Sequence, residues 1–217
     1  MDITYLGHSC FKLRGKNSTV VTDPFDPKIG LTPIKATADI VTVSHHHFDH
    51  DFTSAIAGTA RREVPFVIDT PGEYELMETS VFALPSFHDK QQGKSRGANN
   101  MMLIHLDGIS VVHLGDLGHV LSDKQIEELG VVDVLMVPVG GVFTIDAKEA
   151  SQIVEAVEPS IVIPMHYQIP GLNEQFKELS PVGVFLREMG KEGTEPKDKL
   201  VVSSGNMPEE LEIVVLK

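Results

Sequence analysis

Five potential metal ligands fall within six residues at His45-His46-His47-Phe48-Asp49-His50. Read as H-x-H-x-D-H, the segment offers two imidazoles, then a carboxylate and a third imidazole. Alternating positions on a strand end or tight turn project to one side. One short segment can therefore serve two neighbouring ions, His45 and His47 for the first, Asp49 and His50 for the second. Imidazole and carboxylate donors suit zinc, manganese or iron better than copper(I) or an iron–sulfur cluster. The competing reading is a solvated loop or a polyhistidine tag, but the run is internal and broken by Phe48 and Asp49.

These ligands must be positioned by a scaffold, and the scaffold reads mainly as strands. Short β-branched runs at 18–22, 39–44, 64–68, 81–84, 101–106, 110–114, 132–137, 161–163 and 211–216 predict strands, several of them buried on both faces. Helices are fewer. Ser122 and Gln125 form a capping-box pair ahead of a short helix stopped by Gly130. Asp146 and Glu149 open a second helix, with Ala150, Ile153, Val154 and Val157 on one face and Pro159 beyond its end. A third helix is expected over 173–179. Strands dominate the first half and alternate with helices in the second, which predicts an α/β sandwich of two packed sheets with helices outside. The segments 90–100 and 190–199 are expected to be mobile loops.

Three more candidate ligands end predicted strands: His88, Asp116 and His166. Each alone is more often an ordinary turn residue, but loops at strand ends are where a rigid scaffold gathers polar groups over one cleft. Gly115 lets the backbone before Asp116 approach a site closely.

Composition narrows the partners. The chain of 217 residues has 18 Lys and Arg against 31 Asp and Glu, a formal net charge of −13. Such a body repels nucleic acid, and Arg61-Arg62 and the run from Lys90 to Arg96 are its only basic concentrations. A single cysteine, Cys10, excludes an internal disulfide or a multi-cysteine zinc site. No basic head, apolar run and cleavage site open the chain, and no stretch nears the ~20 apolar residues of a membrane span, so a cytoplasmic protein is expected.

Phrases along the chain, taken in order, carry a resemblance. They are Tyr5-Leu6-Gly7-His8-Ser9-Cys10-Phe11, Val21-Thr22-Asp23-Pro24-Phe25, the His45–His50 motif, Pro71-Gly72-Glu73, Leu114-Gly115-Asp116-Leu117-Gly118-His119, Pro138-Val139-Gly140-Gly141 and Ile163-Pro164-Met165-His166-Tyr167. The set resembles the metallo-β-lactamase fold superfamily, and within it the branch of predicted metal-dependent hydrolases that includes the ascorbate-6-phosphate lactonase group. The resemblance implies a four-layer αββα sandwich of two mixed β-sheets with outer helices, in one domain over 1–217. It further implies a first metal on His45, His47 and His88, a second on Asp49, His50 and His166, and Asp116 bridging them. Between two such ions a shared water or hydroxide becomes a nucleophile near neutral pH, and Asp49 would also orient it and accept a proton.

Around that set, Asp23 is either a partner for a ligand imidazole or a turn residue before Pro24. His8 is either near the cleft and in reach of substrate, or structural. Tyr167 is either a donor to a leaving group or oxyanion, or a packing residue. His46, His105, His113 and His119 have no ligand role in this scheme. His47 stands where the superfamily's flavo-diiron oxidoreductases have glutamate, which disfavours oxygen reduction. Only 50 positions separate Asp116 from His166, too few for the extra domain of the nucleic-acid-cutting members. The expected activity is dinuclear hydrolysis of a small, anionic metabolite, a lactone or ester first and a phosphodiester close behind. Zinc is the default, with manganese or iron also suited, and a homo-oligomer is possible. The alternative is a metal-binding sensor or regulatory domain with little turnover.

Overall fold

A computed structural model describes residues 1–217. Two mixed β-sheets face each other. In the first, the hairpin of Asp2–Gly7 and Cys10–Arg14 continues antiparallel into Thr19–Thr22, then parallel into Ile40–Thr42 and Phe66–Ile68, with Leu200–Val201 at the far edge. In the second, Gly72–Leu76, Thr79–Phe87, Ala98–Leu106 and Ile109–His113 form an antiparallel meander. Val134–Pro138, Ile161–Met165 and Glu212–Ile213 then extend it in parallel.

Period-two alternation sorts each strand between two cores. Ile3, Phe11, Leu13, Val20 and Ile40 of the first sheet meet Val81, Met102, Ile104, Val111, Met136 and Ile163 of the second. Each such side chain contributes roughly 1.5–3 kcal/mol by leaving water. The alternate residues, among them Met101, Leu103, Val112, Leu135, Val137 and Val162, pack outward against helices. Strands Val134–Pro138 and Ile161–Met165 are buried throughout, as expected of parallel strands covered on both faces.

Helix α1 (Asp123–Leu129) and α2 (Ala147–Val157) begin at the two capping boxes read from sequence, Ser122 with Gln125 and Asp146 with Glu149. The segment 173–179 differs from expectation. It holds one 3₁₀ turn, Glu174–Phe176, capped by Asn173. The third helix, α3 (Val182–Glu188), starts after Pro181 and carries Val182, Gly183 and Val184 in its first turn. Those residues are poor helix formers, and burial of Phe185 and Leu186 against the second sheet's outer core holds the helix in place. The outer face of the first sheet is covered mainly by chain between strands: Phe25, Ile29, Ile34, Ile56, Phe176 and Leu179 pack on Cys10, Val21, Val41 and Val43. Cys10 is buried. No helix is long and apolar enough to cross a membrane.

One topological consequence positions the chemistry. Strands Asp2–Gly7, Thr19–Thr22, Ile40–Thr42, Thr79–Phe87, Ile109–His113 and Ile161–Met165 run directly or within a few residues into His8, Asp23, the His45–His50 segment, His88, Asp116 and His166. Six strand ends from both sheets thus deliver polar side chains to one rim of the sandwich.

Candidate metal centre

After Thr42 the chain leaves the sheet in a tight turn, with the N–H groups of His50 and Asp51 donating to the His47 carbonyl. His45, Asp49 and His50 point inward and are buried, whereas His46 lies outside near Asp51 and Asp69. Two groups of donors result, with a third that joins them. The ligand atoms of His45, His47 and His88 lie within 4.8 Å of one another, as do those of His8, Asp49, His50 and His166, and those of His45, His50 and Asp116. Within the first, His45 Nε2 and His47 Nδ1 are 2.9 Å apart.

Asp116 touches both groups. Its Oδ1 is 3.2 Å from His50 Nε2, and its Oδ2 is 3.2 Å from Nε2 of His88 and of His166. Gly115 makes this approach possible. Its φ is +57°, and a Cβ there would run into Asn99 and the Ser44 side chain. The Asp116 N–H donates to Asn99 Oδ1 at 2.9 Å, and Asn99 in turn donates to Ser86 Oγ and the Leu114 carbonyl. Asn99 and Asn100 therefore belong to the strand Ala98–Leu106, not to a mobile loop.

The imidazoles are oriented from behind. Asp23 Oδ2 accepts from His50 Nδ1 at 2.8 Å and from Ser44 Oγ at 2.6 Å, while its Oδ1 accepts from Ser44 N. With its proton given to Asp23, Ser44 Oγ accepts from His45 Nδ1 at 2.9 Å. Both rings thereby present Nε2 to the centre. His113 Nε2 donates to the Ser9 carbonyl, and its Nδ1 accepts from Gly115 N, so it braces two of the ligand-bearing turns. His119 Nε2 accepts from Phe87 N, just before His88. His8, Asp23 and His166 all adopt positive φ, a costly conformation for non-glycine residues that clusters at functional sites.

The donor set fits divalent cations. Ligands sharing a tetrahedral ion with bonds of about 2.0–2.1 Å lie roughly 3.3 Å apart, close to the spacings here. Asp116 Oδ1, His50 Nε2 and His166 Nε2 are buried without a hydrogen bond although they are only 3.2 Å from a potential partner. Groups left so would cost about 1–3 kcal/mol each, and a cation satisfies them together. Electrostatics agree. Burial, with neighbouring imidazoles, lowers His8 to about 4 and His45 to about 3, and His45 is thereby neutral as a ligand must be. Burial opposes ionisation of Asp49 and Asp116, yet the surrounding imidazoles hold both well below the usual carboxylate range. Burial likewise opposes charge on His50, but Asp116 and Asp49 raise it well above an ordinary histidine. The cluster draws positive charge to its centre.

Two residues whose roles the sequence left open can be placed. His8 is fully buried, with Nε2 3.2 Å from Asp49 Oδ2, and does not line the open cleft. Tyr167 packs in the outer core of the second sheet and is likewise absent from the cleft wall. Burial pushes its hydroxyl up to about 12. Sequence reasoning passed over Ser44, Asn99 and the bracing role of His113. The serine directly before the motif was the available signal.

Above the donors opens a cleft of about 410 Å³, lined by His47, Asp49, His88 and Asp116 and by Phe48, Arg96, Phe143 and Phe176. A larger groove of about 610 Å³ between α2, α3 and the C-terminal segment is rimmed by Glu155, Glu158, Glu188, Glu209 and Glu210 and holds no imidazole. The imidazole and carboxylate donors border the smaller one.

Residues 2–166 match the family profile described as β-lactamase superfamily domain. Similar proteins include a UPF0173 metal-dependent hydrolase of Carboxydothermus hydrogenoformans, 32% identical, with 77% of this chain and 84% of that protein covered. Another, from Methanoculleus marisnigri, is 34% identical, with 82% and 86% covered. Among solved structures, a proposed zinc-dependent hydrolase of the metallo-β-lactamase superfamily from Thermotoga maritima superposes with a TM-score of 0.79. It is 38% identical, with 99% of this chain and 97% of that one covered.

Proposed function

Since the chain belongs to the β-lactamase superfamily, we propose that it is a dinuclear metal-dependent hydrolase acting on a small anionic ester or lactone, with a phosphodiester as the next substrate class. The observation that carries this reading is the Asp116 carboxylate, which lies 3.2 Å from His88 of one donor group and from His50 and His166 of the other. The names of the UPF0173 relatives support the hydrolase class.

In this reading His45, His47 and His88 hold one ion, Asp49, His50 and His166 hold the other, and Asp116 is shared. Zinc fits the imidazole-rich donors best, and manganese and iron are the alternatives. Divalent ions on these residues would acidify a water and stabilise negative charge on the attacked centre. Asp49, on the cleft wall, orients the attacking water and accepts its proton. His8 fixes Asp49 by holding one carboxylate oxygen. Asp23 keeps the Nδ1 proton on His50 and, through Ser44, on His45. The net charge of −13 disfavours nucleic acid as substrate.

The test is turnover of a carboxylated lactone and of bis(p-nitrophenyl) phosphate by protein loaded with zinc, manganese or iron, beside Asp49→Ala. Turnover that falls by orders of magnitude in the variant supports an enzyme. Full metal loading with no turnover of any ester, lactone or phosphodiester would favour a sensor.

A further inference from the structure

The cleft contains one feature that metal chemistry does not require, a guanidinium beside a wall of phenyl rings. Phe176 lies centrally, with its ring centroid 5.9 Å from Phe143 and 6.4 Å from Phe48, and Arg96 Cζ sits 5.2 Å from the centre of the Phe143 ring. Arg96 pairs with no carboxylate, whereas Lys90 in the same basic run is tied to Glu149. In a chain this acidic, an unpaired cation in the cleft is a specific arrangement.

Both features are built in from the ligand segments. Asp89, next to His88, accepts from the N–H groups of Gln91, Gly93, Ser95 and Arg96 at 2.7–3.0 Å. The His88 N–H closes the loop on the Gly97 carbonyl. The loop expected to be mobile is thereby wound around one carboxylate, and the Arg96 backbone is fixed relative to His88. Phe143 follows Val142, a β-branched residue at φ +59°. The Phe143 N–H donates back across that outlier to the Gly141 carbonyl at 2.6 Å, and the Ile145 N–H ties the same turn to the carbonyl of Leu117, one residue after Asp116.

We propose that Arg96 reads an anionic group of the substrate while Phe48 and Phe143, backed by the buried Phe176, take an apolar, ring-sized body. The inference rests on the hydrolase reading and deepens it. The substrate class becomes an ester or lactone that carries both a carboxylate or phosphate and an apolar or aromatic portion. A guanidinium offers a planar fork matched to either anion, and stacking on Phe143 holds that fork at low entropic cost. With ions on the ligands, their charge exceeds that of Asp49 and Asp116, and Arg96 adds to a locally positive cleft within a negative protein.

The test is calorimetric titration of the metal-loaded protein with benzylphosphonate, phenylacetate and methylphosphonate, with metal content measured on each sample. The aryl anion that binds more tightly identifies phosphate or carboxylate as the group read. Arg96→Met should weaken both aryl anions by about tenfold or more, as loss of a charge-assisted hydrogen bond does, at unchanged metal content. Arg96→Lys should fall between them. Phe143→Ala should remove the preference for benzylphosphonate over methylphosphonate. Unaltered aryl-anion affinity in Arg96→Met, or no aryl-anion binding by the parent protein, overturns the inference. Protein that takes up no metal would defeat the hydrolase reading instead. The same titrations would still judge Arg96 and Phe143, which are not among the proposed ligands.

Discussion

His50 Nδ1 donates to Asp23 Oδ2 over 2.8 Å, with both side chains fully buried. The same oxygen receives Ser44 Oγ, whose lone pair meets His45 Nδ1. One carboxylate therefore sets the orientation of an imidazole in each donor group. Asp23→Ala should lower metal affinity tenfold to hundredfold, the usual effect of losing such a partner, and should weaken both ions. Ser44→Ala should act mainly on the ion held by His45. Competition with a chromophoric chelator measures both, and an Asp23→Ala protein with unchanged affinities would refute the orienting role.

Asp116 and His166 should separate by stoichiometry. Asp116→Ala removes an oxygen from each donor group and should weaken both ions, whereas His166→Ala should loosen only the ion shared with Asp49 and His50. His46, outside the centre beside Asp51 and Asp69, should be replaceable by Ala with no change in metal content. If His46→Ala strips a metal, the register of the motif is wrong.

Gly115→Ala tests the backbone beneath Asp116. A Cβ would strain the φ of +57° and collide with Asn99 and Ser44. The expected cost is about 1–3 kcal/mol, visible as a lower Tm in the metal-free protein, together with weaker metal binding. A variant with parental Tm and parental metal content would show that Asp116 does not depend on this approach.

Removing metal should itself lower stability. An ion that binds only the folded chain adds about 2.7 kcal/mol at a concentration of 100 Kd. Thermal unfolding before and after chelation, and after readdition of zinc, should show a reversible drop in Tm. A Tm indifferent to chelation would mean that the buried donors are satisfied without cations.

Much of the site was legible because its signals are local. The H-x-H-x-D-H spacing needs only a turn, and His88, Asp116 and His166 each follow a short apolar run that marks a strand. What brings them together is the facing of two sheets: the order of strands and helices predicted the sandwich, and only the resemblance said that these strand ends meet at one centre. The run from Tyr5 to Phe11 is a hairpin tip with Gly7 and His8 at positive φ, a turn that its apolar composition does not signal. Helix α3 was hidden by its Val-Gly-Val start, and Phe185 and Leu186 hold it through tertiary packing. Arg96 was visible only as one of several basic residues. Its approach to Phe143 depends on how Asp89 winds the loop.

The measurement that bears most directly on the account is elemental analysis of purified protein after reconstitution, with lactone and phosphodiester turnover assayed on the same sample. The account predicts about two equivalents of zinc, manganese or iron per chain, with hydrolysis that vanishes on chelation and returns with metal. A protein that takes up no metal even after reconstitution would contradict it.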